Sequence, residues 1–101
     1  MATFVFAYRA PKDYTPGSPE KTAAWSGWFA SLGASVQDVG NPVVRRTSVG
    51  QCGDETVLGG YSLVTAEDLE SAVILAKGCP FASSGGGVEV GELVHIDRGA
   101  A

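Results

Sequence analysis

Residues Gly59 to Pro80 read GGYSLVTAEDLESAVILAKGCP, and a strand, a helix start, a helix and a helix stop follow one another within them. Tyr61, Leu63 and Val64 read as a strand. Thr65 with Asp68 three residues on is an expected N-terminal capping signal, and Leu69, Ala72, Val73 and Ala76 form one expected apolar helical stripe. Lys77 and Gly78 close the helix.

Working outward, the strand of this segment is expected to begin at Thr56. Polar Gln51 to Glu55 before it, carrying Cys52-Gly53-Asp54, reads as a hairpin loop. Upstream, Ser35 to Val39 and Pro42 to Val49 read either as one bent strand or as two short ones, with Gly40-Asn41-Pro42 as a turn or bulge between them. On the far side, Ala82 to Gly87 (ASSGGG) reads as a flexible connector, Val88 to Ile96 as a last strand, and residues 96–101 as a frayed tail.

The start of the chain supplies the other half. Thr3 to Tyr8 (TFVFAY) is an aromatic and β-branched run ending at the turn-prone Arg9 to Asp13, which favours a strand. Phe4, Phe6 and Tyr8 face one way, Val5 and Ala7 the other, so both faces need cover. Ser18-Pro19-Glu20 then opens a helix with a capping hydroxyl, a proline whose missing N–H does no harm, and an acid at the positive dipole end. Trp25, Trp28, Phe29 and Leu32 recur at helical spacing, and Gly33 stops the helix.

The order strand, helix, strand, strand, helix, strand is the ferredoxin-like βαββαβ arrangement, an α+β fold with a four-stranded antiparallel sheet and two helices on one face. The 101 residues make a single domain, 1–101. Two helices cover one face of such a sheet, so the doubly apolar first strand calls for a partner on the other. A homodimer joined through its sheet faces is the simplest solution.

Composition narrows the function classes. A formal net charge of -4, with Arg45-Arg46 the one adjacent basic pair, argues against a phosphate-backbone partner, so no nucleic acid is expected. No apolar run approaches the roughly 20 residues that span a bilayer, so no membrane partner is expected either. Two cysteines are far from a disulfide framework, and nothing near Met1 resembles a secretory leader. The expected location is cytoplasmic. One histidine and two distant cysteines give no metal-ligand spacing, and Gly85-Gly86-Gly87 leads into a strand with no lysine at hand rather than into a phosphate-binding helix. No metal and no cofactor is expected.

Candidate chemistry is sparse. Cys79 closes a helix, where the negative dipole end raises a thiol's pKa, so it reads as a packed structural thiol. His95 and Asp97 share one face of the expected last strand, where a carboxylate can orient an imidazole. A ligand site is expected between two sheets or beside the first helix, lined by aromatics and a few polar groups. Tyr8, Trp28, Asp38, Asn41, Arg45 and Tyr61 are its candidate residues, with Arg45 suited to an anionic group.

These features resemble the YCII-related proteins. The resemblance is carried by Gly60-Tyr61-Ser62-Leu63-Val64, Ala66, Glu67-Asp68, Ala72, Ala76-Lys77, Cys79-Pro80 and Val88-Glu89-Val90, with Trp25, Trp28, Leu32-Gly33 and Asp38 to Pro42 in the first half. It implies a dimeric α/β barrel built from two ferredoxin-like subunits and makes Asp38 a candidate catalytic residue beside His95. In part of that family a histidine on the first helix lies near an aspartate in a cleft. Here residues 19–32 hold no histidine, and the Asp-Gly-Pro-Phe motif of another branch is replaced by Cys52 to Thr56 (CGDET). The expected function is a small homodimeric protein that binds a small organic molecule in an aromatic-lined cleft, with catalysis left open. The alternative is a non-catalytic regulatory or protein-interaction module.

Overall fold

The structure is a computed structural model and describes residues 1–15 and 17–96. Its elements are β1 (Ala2–Pro11), α1 (Pro19–Leu32), β2 (Val36–Pro42), β3 (Thr56–Ala66), α2 (Leu69–Ala76) and β4 (Gly87–Glu92), with short 3-10 turns at Gly33–Ser35 and Pro80–Ser83. The four strands form one sheet in the order β2-β3-β1-β4, antiparallel at every junction. This is the ferredoxin-like α+β fold expected from the order of elements.

β1 alternates as its sequence requires. Phe4, Phe6, Tyr8 and Ala10 are buried under the helices, while Thr3, Val5, Ala7 and Arg9 lie half-buried on the open face. From β3, Ser62, Val64 and Ala66 join the buried side. Each fully buried aromatic or aliphatic side chain contributes about 1.5–3 kcal/mol through lost apolar contact with water, so this one face supplies most of the hydrophobic stabilisation.

α1 is built from its first turn as expected. Ser18 accepts from the Lys21 N–H at 3.1 Å, Pro19 opens the helix, and Gly33, at φ 57°, ends it with its N–H on the Phe29 carbonyl. The aromatic stripe packs on the sheet: Trp28 stacks with Phe6 at 6.1 Å and meets Tyr8 edge-on, and its Nε1 donates to the Leu75 carbonyl of α2 at 3.2 Å.

Several local expectations are corrected. Thr65 does not cap α2: β3 runs on to Ala66, the Thr65 hydroxyl donates to the Ser35 carbonyl, and Asp68 is the N-cap, accepting from the Ser71 N–H at 2.8 Å. That bond holds the Asp68 carboxyl below the usual range. The buried face of α2 is Ala72 and Ala76 with Leu75 beside them, whereas Leu69 and Val73 face outward. Small alanines let the helix approach the sheet closely, and the rotation that seats them turns the larger residues away.

The glycine connector is not free chain. A Cβ on Gly86 would press into the Arg9 carbonyl oxygen and lie 3.1 Å from Pro11, and the Gly86 N–H donates to the Phe81 carbonyl. Gly86 is there because nothing larger fits against β1. β4 stops at Glu92 rather than Ile96: its last pair is Phe4↔Glu92, Leu93 adds one bond to Thr3, and only Ala2 of β1 lies beyond. Of the upstream alternatives, one irregular strand, β2, forms, and residues 43–55 have no regular structure. The tail expected at 96–101 lies, from residue 97 on, outside the described residues.

Candidate functional site

The site begins with a register slip. β1 and β3 pair in step from Ala2↔Ala66 to Tyr8↔Gly60, and the next pair is Arg9↔Leu58, so Gly59 is an extra residue in β3. The bulge keeps Tyr8 and Ala10 on the helix side, with Gly60 opposite Tyr8, Val57 opposite Ala10, and Gly59 as the extra residue between. Where Val64 and Ser62 fill the layer further along β3, Gly59 and Gly60 carry no side chain and their neighbours close in: a Cβ on Gly59 would lie 3.2 Å from the Phe81 ring and 3.3 Å from Ala10. A Cβ on Gly60 would lie 2.9 Å from the Asn41 carbonyl oxygen, so β2 closes in against it.

Beside α1, and lined in part by these glycines, is a cavity of about 810 Å³. Its floor is Tyr8, Ala10, Val57, Gly59 and Gly60. One wall is the α1 face of Lys21, Thr22, Trp25, Ser26 and Phe29, and the other runs from Val39 to Val44 and includes Arg46. Tyr14 and Phe81 meet edge-on at 4.9 Å and bound one end together with Lys12. Trp25 is the hub of the aromatic lining, 4.9 Å from the rings of both Tyr8 and Phe81.

Polar groups are few and tied down. The Tyr8 hydroxyl donates to the Ser62 hydroxyl at 2.8 Å, which donates to the Val39 carbonyl at 2.6 Å. Burial pushes the Tyr8 phenol up to about 12, so it stays protonated as a donor at any ordinary pH. Asn41 Nδ2 donates to the Tyr61 hydroxyl at 3.4 Å. Lys21 Nζ donates to the Thr15 carbonyl and sits 4.5 Å from the centre of the Tyr14 ring.

Of the residues singled out from sequence, Tyr8, Asn41 and Tyr61 line this cavity, Tyr61 at its edge, since it pairs with Ala7 and carries its side chain toward the open face. Trp28 lies behind its wall in the core, one helical turn from Trp25. Asp38 accepts from the Gly40 N–H at 2.8 Å and so stabilises the turn, where Gly40 has φ 73°. Arg45 is exposed and does not line the cavity; its neighbour Arg46 does. His95 is exposed beyond the end of β4, beside the start of β1 and hence at the opposite end of the sheet, and its expected partner Asp97 lies outside the described residues. Cys79 is buried, and its thiol is pushed up by that burial rather than by the helix end.

Trp25 and Phe29 were legible as part of the α1 stripe, but nothing in the sequence marked which of its aromatics would face a void. Lys12, Lys21 and Arg46 carried no signal beyond charge. Among the described residues no group of three or more His, Cys, Asp or Glu side chains is placed to hold a metal ion, and no helix is long and apolar enough to cross a membrane.

Among solved structures, the chain is similar to the 5-chloro-2-hydroxyhydroquinone dehydrochlorinase of Burkholderia phenoliruptrix AC1100 in complex with 2,5-dihydroxybenzoquinone. The TM-score is 0.60 at 23% sequence identity, over 93% of this chain and 95% of that chain. The likeness extends over nearly the whole of both chains and shows a shared fold. No family model matches the chain, and no curated protein matches it.

Proposed function

We propose that the chain is a YCII-related protein that binds a small, ring-shaped organic molecule in the cavity beside α1, and that it works as a homodimer joined through the open faces of its sheets. The observation that carries the ligand reading is the aromatic lining. A volume of about 810 Å³ walled by Tyr8, Trp25 and Phe29 lies within the range of about 300–1,000 Å³ usual for small-molecule sites. Flat rings stack on or meet such walls edge-on, and Ser26, Asn41 and the phenols offer the few polar contacts that orient a guest. The structural neighbour, solved with 2,5-dihydroxybenzoquinone, supports the reading by analogy of fold.

The dimer rests on the open face. Val5, Ala7 and Leu63 lie half-buried at its centre, ringed by Thr3, Thr65, Arg9 and Glu89. An apolar centre with a polar rim is the anatomy of a protein interface. Light scattering at micromolar concentration should give twice the chain mass; a monomer mass would reject the dimer.

The ligand reading is tested by thermal shift and Trp fluorescence against a library of small aromatic and quinonoid compounds. Saturable stabilisation that is lost in Trp25→Ala and retained in Arg45→Ala is expected. A library with no stabilising member would reject the site.

A further inference from the structure

We infer that the ligand of this cavity carries an oxyanion, a carboxylate or phenolate, at one end of its ring, and that Lys12, Lys21 and Arg46 hold that end. This rests on the reading of the cavity as a ring-binding site and specifies the chemical class of its guest. The chain is acidic, with 11 Asp and Glu against 7 Lys and Arg. The cavity reverses that balance: Lys12, Lys21 and Arg46 line it, and among its described lining residues there is no Asp or Glu.

The three cations share one end. Lys12 follows Pro11, the last residue of β1, which pairs with Thr56 at the start of β3. Arg46 donates one guanidinium N–H to the Leu58 carbonyl at 3.2 Å, two residues along the same strand. Lys21 is drawn to that end by its bond to the Thr15 carbonyl and by the Tyr14 ring, both in the segment just after Lys12. Each has donors to spare, since an ammonium has three and a guanidinium five. Aromatic rings run on from this end, from Tyr14 and Phe81 to Trp25, Phe29 and Tyr8, and there the described lining has no further cation. A neutral ring would displace water from the cations and give nothing back, whereas an oxyanion there makes charge-assisted hydrogen bonds against a low-dielectric wall.

The test uses matched pairs that differ only in charge: benzoate and benzamide, 4-hydroxybenzoate and 4-hydroxybenzamide, salicylate and salicylamide. Affinity is read by Trp fluorescence and calorimetry. In at least one pair the carboxylate is expected to bind about tenfold or more tightly than its amide at low salt, with the gap closing as salt is added. Lys12→Met and Arg46→Met should each weaken the carboxylate about tenfold and leave the amide unchanged. Lys21→Met also frees Thr15 and Tyr14, so Lys12→Glu serves as the independent charge variant. Amides that bind as tightly as their acids, or a gap that survives removal of all three cations, would overturn the inference and leave the ring-binding reading standing. If no member of any pair binds, the ring-binding reading fails and the inference with it.

Discussion

Ser62 is the buried polar group on which the cavity floor depends, and its removal has a calculable cost. Its side chain is fully buried, accepts from the Tyr8 hydroxyl at 2.8 Å and donates to the Val39 carbonyl at 2.6 Å, bridging β1, β3 and β2. The β2 ladder slips between Asp38 and Asn41, so this hydroxyl stands in for a backbone bond that the strands do not make. Ser62→Ala leaves the Tyr8 hydroxyl without its acceptor at a site only 5% exposed. One buried orphan costs about 1–3 kcal/mol, while the Val39 carbonyl, on an exposed residue, can turn to water. The expected loss is therefore about 2 kcal/mol. Tyr8→Phe leaves the Ser62 donation to Val39 intact and should cost about 1 kcal/mol. In the double variant the orphan no longer exists, so it should be no less stable than Ser62→Ala alone, giving a coupling of about 1 kcal/mol. Urea denaturation followed by circular dichroism and Trp fluorescence, at one protein concentration and with the slope unchanged, measures all four species. Additivity within about 0.5 kcal/mol, or a Ser62→Ala loss below that figure, would refute the relay.

Three further outcomes follow from the same packing. Gly40→Ala combines a positive φ of 73° with a Cβ pressed into the Tyr61 carbonyl, and Gly86→Ala presses into the Arg9 carbonyl; each should lose more than about 3 kcal/mol in urea denaturation, whereas Gly27→Ala, inside α1 where a Cβ meets open space, should gain up to about 1 kcal/mol. Burial lifts the Tyr8 phenol from an ordinary 10.0 to about 12. The unfolded chain thus gives up that proton above pH 10 while the folded chain keeps it, so stability from this group is full below pH 10 and falls as pH rises toward 12; the slope in urea midpoint over that window should flatten in Tyr8→Phe. Exposed Cys52 should react at once with a disulfide reagent in the native protein, and buried Cys79, its thiol pushed up by burial, only after unfolding in guanidinium; two fast thiols in the native state would contradict the packing of Cys79.

The fold was legible because its punctuation is local. Ser18-Pro19, Gly33 and the alternation of β1 each act within a few residues, and the structure uses them as read. Thr65 and Asp68 compete for one role, and the strand took Thr65 because Ser35 offers its hydroxyl an acceptor from 30 residues away. The α2 stripe was misread for a related reason. Leu69 and Val73 share a face with Ala72 and Ala76 on a helical wheel, and only the tertiary distance between helix and sheet decides that the alanines go inside. The site was legible to the extent that it lies on regular elements. Tyr8 could be placed by the period of β1, and Asn41 by the glycine turn. Trp25 and Trp28 share a stripe, and which one borders the void depends on the rotation of α1. Arg45 and Arg46 sit in residues 43–55, where no period says which side chain turns inward.

The start of that irregular segment is nevertheless tied down, and at the bulge itself. The β2 ladder on β3 ends at Pro42↔Gly60, because proline brings no N–H to continue it. Past that point the edge carbonyls of Gly59 and Leu58 have no strand beside them. The chain leaving β2 supplies the donors: the Val43 N–H takes the Gly59 carbonyl at 3.1 Å, and the Arg46 guanidinium takes that of Leu58 at 3.2 Å. The bulged stretch of β3 therefore ties the wall that carries Arg46 to the rim. Deleting Gly59 would leave every other β1–β3 pair as it stands, remove the carbonyl that the Val43 N–H uses, and so release residues 43–46. The loss of ring binding in such a variant, with the sheet and core preserved by circular dichroism, would show that the cavity depends on the wall held at the bulge, and unchanged binding would refute it.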